Sequence, residues 1–392
     1  MCRVVSRNQV VRVSEVLPEG DRANFAWQAL RKFHNVQHCA SVIINERDIP
    51  KKHWHNVRKQ MEQLRFSLIQ AREYFQAAEN ASAATKPLQL YYCCMCLALS
   101  EILWNGDGNH SLDKLRLTHR HHGLILSPPP NTELDLRKFS SQLIARPMLV
   151  KGVRLGTFEV WHGLSRQTPL VGKHITQHGT GTLTGTSILY ASEDTPLEPV
   201  PTSGISLYEC LVRIPGLIRP LHDFKIQSAL LRATLQRVRV RSDDVTEKIT
   251  DTINVQPNDA ERIHHLRNRF LFDPNDISNI TSFDFPSGFH VSWFYDPRLG
   301  TYSCHLPEGF SYKENEVYFL DDTDYLNEFG FLYIALYLLG MFARYFPDLW
   351  IREVESNSEF AIVVEYLLDY ARWRLPVLLL GNLTRTVFVL KE

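Results

Sequence analysis

The chain has no excess of charge of either sign: 43 Lys+Arg stand against 43 Asp+Glu. No global field therefore advertises a nucleic-acid or membrane partner. The chain's most apolar stretch is also short for a bilayer. The most apolar stretch, "FGFLYIALYLLGMFA" (Phe329–Ala343), covers 15 residues, where a spanning helix needs about 20. A buried core helix is expected there, and no membrane partner. The seven cysteines (Cys2, Cys39, Cys93, Cys94, Cys96, Cys210, Cys304) are odd in number and show no spaced framework, which argues against a disulfide scaffold. Cys93, Cys94 and Cys96 sit in an apolar helical run, where a thiol behaves as a small hydrophobe. The opening "MCRVVSRNQVVRV" is interrupted by arginines, so no signal-peptide core is expected. A reducing, cytoplasmic location is the expectation that follows. Neither an internal repeat of fixed period nor a low-complexity tail is found.

What is present is material for real cores: 392 residues at 44% hydrophobic content, enough for two or three domains. Charge is unevenly spread. Residues 1–245 hold 31 Lys+Arg against 21 Asp+Glu, and residues 246–392 hold 12 against 22. The halves are therefore +10 and −10, read either as a basic front docking on an acidic back or, more simply, as two solvated surfaces.

Three zones are expected: helical over 1–125, β-containing over 126–320, helical over 321–392. The fold class is thus α+β. In 52–80, Val57, Met61, Leu64, Leu68, Ala71 and Phe75 step by four and three, painting one helical stripe. Thr85 is a candidate N-cap and Pro87 suits a first turn. The next helix repeats the spacing through Leu88, Tyr92, Met95, Leu99 and Ile102, so an antiparallel hairpin is expected, with Leu64 and Leu68 against Tyr92, Met95 and Leu99. "WNGDGN" ends that helix, and Ser111 caps a short third one. "SPPPN" (127–131) marks the turn at which the period changes. "LVKGVRLGTFEVW" (149–161) reads as a hairpin or bulged strand. "TLQRVRVR" (234–241) alternates strictly, placing Arg237, Arg239 and Arg241 on one face; "DTINV" and "HVSWFY" are further strands. Gln167–Gly204, rich in Thr, Gly and Pro, reads as a long irregular excursion. Pro347 is expected to stop the apolar helix.

Four features carry candidate chemistry. "GTGTLTG" (Gly179–Gly185) has glycines at positions 1, 3 and 7, not the 1, 3 and 6 of a dinucleotide fingerprint, and a flexible loop is expected. His174 and His178 are four apart, yet no Glu or Cys completes a ligand set, so neither metal nor cofactor is expected. The arginine face could position phosphates, but a solvent-facing strand is the ordinary reading. The last is "LRLTHRHHGL" (115–124). Arg116 with His121 or His122 can converge on one phosphate, the imidazole serving as base or acid and the guanidinium neutralising charge. Arg120 and, at the end of the apolar helix, Arg344 are candidate phosphate contacts. The bland alternatives are a solvated turn and a cation favoured at a helix carboxyl end.

Several stretches together resemble the YaaC-like family. They are "FAWQALRKFHNVQHCASVI", "AREYFQAAENASAATKPLQLYYCCMCLALSEIL", "HHGL", "VRLGTFEVWHGL", "SLYECLVRIPGL" and "LYIALYLLGMFARYFPDLW", in that order from about residue 25 to 350. The 62–122 segment is similar, more loosely, to HEPN domains. These are helical bundles in which a Tyr-Tyr helix precedes Arg, four to six residues, then His; here Leu117 stands where such nucleases usually carry a polar residue. That resemblance implies a metal-independent endoribonuclease or an effector of a bacterial defence or toxin system, with Arg116 and His121 or His122 as its motif, acting on RNA and as a homodimer. The competing expectation is a non-catalytic module that binds a nucleotide, a nucleic acid or a partner protein.

Overall fold

The computed structural model describes residues 2–3, 12–16, 21–106, 110–127, 135–192, 197–241, 247–256, 259–272, 278–295, 303–305, 309–313, 316–320 and 325–390. The fold is mixed α+β. Two short strands, Cys2–Arg3 and Arg12–Val16, precede the front helices α1 (Arg22–Leu30), α2 (Val36–Glu46), α3 (Trp54–Asn80), α4 (Lys86–Asn105) and α5 (Leu112–Thr118), so the zone 1–125 is not helical throughout. Shorter helices α6 (Leu136–Gln142), α7 (Thr157–Leu164), α8 (Leu207–Leu211), α9 (Ile218–Asp223) and α10 (Ala260–Asn268) punctuate a central mixed sheet. The chain returns to helix in α11 (Glu328–Tyr345), α12 (Pro347–Ser356) and α13 (Glu359–Thr384).

The stripe on α3 is buried as its spacing predicts: Met61, Leu64, Leu68, Ala71 and Phe75 all lie inside. It meets α4 in antiparallel fashion. The Ser67 hydroxyl donates to the Cys96 carbonyl at 2.8 Å and the Gln60 amide to that of Leu103 at 2.7 Å, while Tyr74 stacks on Tyr92. The stripe read on α4 needs correcting. Of its members Ile102 is buried, whereas Leu88, Tyr92 and Leu99 pack on the core while only partly buried, and Met95 is partly buried too. Leu90, Tyr91, Cys93, Cys94, Cys96 and Leu97, off the stripe, are fully buried. α4 is packed by α3, α7, α11 and α13, so nearly all of it is apolar and periodicity alone cannot choose its seam. By length and composition α4 could cross a membrane, but most of that window is buried inside the fold.

The run Phe329–Phe342 is buried at every position, so α11 is a central core helix. Pro347 opens α12 after a bend of 105°. The Trp350 indole of α12 then donates to the carbonyls of Ala83 and Ala84, pinning the α3–α4 turn. Thr85 occupies the N-cap of α4, though its side chain makes no capping bond. Ser111 stands likewise before α5, whose Leu112 N–H is instead satisfied by the Gln63 side chain at 2.9 Å.

The sheet corrects two sequence expectations. Most of the supposed excursion 167–204 is a long hairpin, Leu170–His178 paired antiparallel with Gly181–Ser192. Gly179 and Thr180 form its turn, and His174 lies on a strand. Its threonines are β-branched and suit a pleated surface. In the second case the arginine strand Leu230–Arg241 faces the opposite way to that expected. Arg237 is 3% exposed while Val240 is 40% exposed. Arg237 pairs in register with Asp251 of Glu247–Gln256 and grips it with two hydrogen bonds of 2.7 and 2.6 Å. Its guanidinium also lies over the Tyr190 and Trp293 rings. Arg239 faces Glu247, and the Arg241 side chain lies outside the described residues. A buried arginine needs such a partner, and Asp251 sits in the "DTINV" strand. The stretch 149–161 is half hairpin, half helix: Leu149–Val150 and Val153–Arg154 turn over Lys151 and Gly152, and α7 follows. Pro128–Asn131 of the "SPPPN" turn and Asp107–Asn109 of "WNGDGN" lie outside the described residues.

Candidate functional site

The segment after α5 wraps over the start of α7. The ring Nδ1 of His119 accepts the Gly156 N–H at 3.0 Å, the His121 carbonyl accepts that of Thr157 at 2.9 Å, and the His122 carbonyl that of Phe158 at 3.0 Å. Three amides at the start of α7 are thereby satisfied by one turn. The close approach depends on two glycines. Gly123 has φ +89° and Gly156 φ +112°, and a Cβ on Gly156 would lie 2.2 Å from the Gly123 Cα. Only glycine occupies such backbone at low cost.

This docking sends the candidate side chains in different directions. Arg116, Arg120 and His121 are exposed. Arg116 adds its charge near Asp113, whose carboxyl Lys59 and Gln63 hold below the usual range. His122 turns inward and is half-buried. Its Nδ1 lies 2.7 Å from the Tyr91 hydroxyl of α4. The Tyr92 and Tyr337 rings flank it at 6.5 and 6.2 Å. The Tyr337 hydroxyl donates to the Leu124 carbonyl at 2.8 Å, fixing α11 to the strand that follows the turn.

Arg344, in the last turn of α11, closes the constellation. Its Nη1 donates to the Tyr92 hydroxyl at 3.4 Å, and the guanidinium lies over the Tyr345 ring. Burial, then the charges of Arg344 and His121, lower the His122 pKa below its ordinary value. The ring is neutral at pH 7, and burial holds the Tyr91 phenol well above its ordinary value, so the Tyr91–His122 contact joins two neutral groups. If Tyr91 donates, Nε2 carries the proton and is a donor; if Tyr91 accepts, Nε2 presents a lone pair. Reading the sequence missed Tyr91, Tyr92 and Tyr337. The signal was present in "YY" on α4 and in Tyr333 and Tyr337, spaced four apart on α11. Among the described residues, no three His, Cys, Asp or Glu side chains are grouped to hold a metal ion.

A helical hairpin carrying a Tyr-Tyr pair, a His-His-Gly turn docked on a short helix, and a closing apolar helix ending in Ala-Arg-Tyr define a mixed α+β protein with a polar site at the junction of its front and back helices. The chain belongs to the YaaC-like protein family, whose model matches residues 31–124 and 162–383. No curated protein and no solved structure matches it.

Proposed function

We propose that the junction formed by His122, Tyr92 and Arg344 binds a phosphate-bearing ligand, a nucleotide or RNA. One observation carries this reading: Arg344 reaches across from α11 to Tyr92 and stands close enough to His122 to act on its proton affinity. A guanidinium beside a neutral imidazole and a phenol supplies the charge and donors a phosphate requires. Exposed Arg116, Arg120 and His121 lie on the same segment, where they suit longer-range contacts to a polyanion. Binding of labelled RNA and of a nucleotide, measured for the wild-type chain and for Arg344→Gln, tests the reading.

A second reading, metal-independent cleavage of RNA, is favoured by the depressed proton affinity of His122 and by the HEPN resemblance of the 62–122 segment. With Tyr91 accepting from Nδ1, Nε2 would take the proton of a ribose 2′-hydroxyl. The 2′-oxygen would then attack phosphorus as the P–O5′ bond breaks, and the 5′-oxygen would leave with the proton returned from His122 Nε2, His121 being the near alternate for either transfer. Incubation with RNA in EDTA distinguishes the readings. Fragments ending in 2′,3′-cyclic phosphate, absent with His122→Ala, support cleavage; bound but intact RNA supports binding alone.

A further inference from the structure

A second cleft, sharing no residue with the His122 junction, lies between the front helices. Its volume is about 340 Å³, and Asn24, Trp27, Gln28, Arg31, His34 and Arg72 supply its polar lining. The spacing explains the convergence. Asn24, Trp27, Gln28 and Arg31 fall on one face of α1 and its short continuation, while Leu68 and Arg72 sit one turn apart on α3.

Two lining groups have unmet needs. Trp27 is 5% exposed, and its indole N–H is buried without a hydrogen-bond partner among the described residues. The Nη1 of Arg72 is also buried and unpartnered. The Arg72 guanidinium lies 5.2 Å from the Trp27 ring centroid and 5.0 Å from that of Phe75, packed against both of these neighbouring rings. Buried donors in native folds are almost always satisfied, and leaving one orphaned costs free energy comparable to a lost hydrogen bond. No acid lines the cleft. The nearby carboxylates of Asp21 and Glu79 are bound by Arg372. Burial, then the positive charges of Arg65 and Arg31, lowers the His34 pKa below its ordinary value.

We infer that the α1–α3 cleft is a binding site for a small oxyanion, a phosphate group, held by the Trp27 indole N–H and the Arg72 guanidinium with Arg31 at the rim. A tetrahedral oxyanion presents several acceptors at once, which suits donors arriving from two helices. The group could come from free phosphate or from a phosphomonoester.

Calorimetric titration of the full chain with inorganic phosphate and with phenyl phosphate, at constant ionic strength set by chloride, tests the inference. A resonance of the Trp27 indole N–H, assigned through Trp27→Phe, gives a site-specific readout. Binding of either probe should shift that resonance, and the preferred probe identifies the source. Arg72→Lys, which keeps the charge but loses the fork, and Arg31→Gln, an exposed change that spares folding, should each weaken binding, by about tenfold for Arg72→Lys. His122→Ala should leave it unchanged, which separates this site from the junction. No binding of either probe, or binding that Arg31→Gln and Arg72→Lys leave intact, would overturn the inference.

Discussion

The carboxylate of Glu101 accepts the Trp161 indole N–H at 2.9 Å inside the core, and the Asn382 amide reaches its other oxygen at 3.0 Å. One side chain thus ties α4 to α7 and α13. Glu101 is 2% exposed, and burial pushes its pKa up to about 7, against the hydrogen bonds from Trp161 and Asn382 and the more distant Arg166 charge.

A pH dependence follows. The folded state holds the Glu101 proton up to about pH 7, whereas the unfolded chain releases it near 4.5. The native state therefore binds more protons across that window, and stability should fall as pH rises through it. The Glu101 contribution is on the order of 3 kcal/mol. Denaturant titrations at pH 5 and pH 8 check this: Glu101→Gln should flatten the wild-type difference, and an unchanged difference would remove Glu101 as its cause.

The Gly123–Gly156 contact predicts an order of damage. Alanine at Gly156 meets backbone at 2.2 Å, whereas alanine at Gly123 meets it at 3.1 Å or beyond. Both positions have positive φ, a strain of order 1–3 kcal/mol for a residue with a Cβ. Gly156→Ala should therefore cost more than Gly123→Ala in chemical denaturation, and it should also disturb the His119 ring resonance. Equal and small losses would mean that the turn is not seated on α7 as described.

The back of the molecule rests on a buried pair. Arg374 grips Glu328 with bonds of 2.8 and 2.6 Å, and the Tyr370 hydroxyl donates to the same carboxylate. Arg374 and Glu328 are 2% and 1% exposed. Removing one partner strands a charge in the core, which typically costs about 3–5 kcal/mol. Arg374→Met should show that loss in equilibrium unfolding, and replacing Glu328 with Gln as well should recover part of it. No recovery in the double variant would argue against the pair as the cause.

Much of the fold was legible because helical stripes and apolar runs answer directly to burial. α3 kept its stripe, and α11 proved to be the core helix its composition indicated. The failures have a common physical origin. A helix packed on nearly all sides, such as α4, leaves little periodicity to read. A strand whose arginines find carboxylates across the ladder, as Arg237 finds Asp251, reverses the inside and outside that polarity suggests. At the candidate site, the turn itself could be read locally. The partners of His122 could not, since Tyr91 lies 31 positions earlier and Arg344 more than 200 later. α11 brings them together only by packing on α4.

The leucines of α3 offer a simple check of the hairpin. Leu68 is 1% exposed, and truncating such a side chain typically costs about 2–5 kcal/mol. Leu68→Ala should lose that much, whereas Phe66→Ala, at 54% exposure on the same helix, should lose far less. Similar losses at both positions would place the buried face of α3 elsewhere.

Fluorescence anisotropy of a labelled single-stranded RNA, with an unlabelled nucleotide as competitor and EDTA present, addresses the His122 junction directly. The wild-type chain should bind, and affinity should fall by about tenfold or more in Arg344→Gln, the loss of a charge-assisted contact. His122→Ala should also weaken binding, while Arg232→Gln, a surface arginine on the sheet, should leave it unchanged. Absence of binding to both RNA and nucleotide, or an affinity that neither Arg344→Gln nor His122→Ala alters, would contradict a phosphate site at this junction.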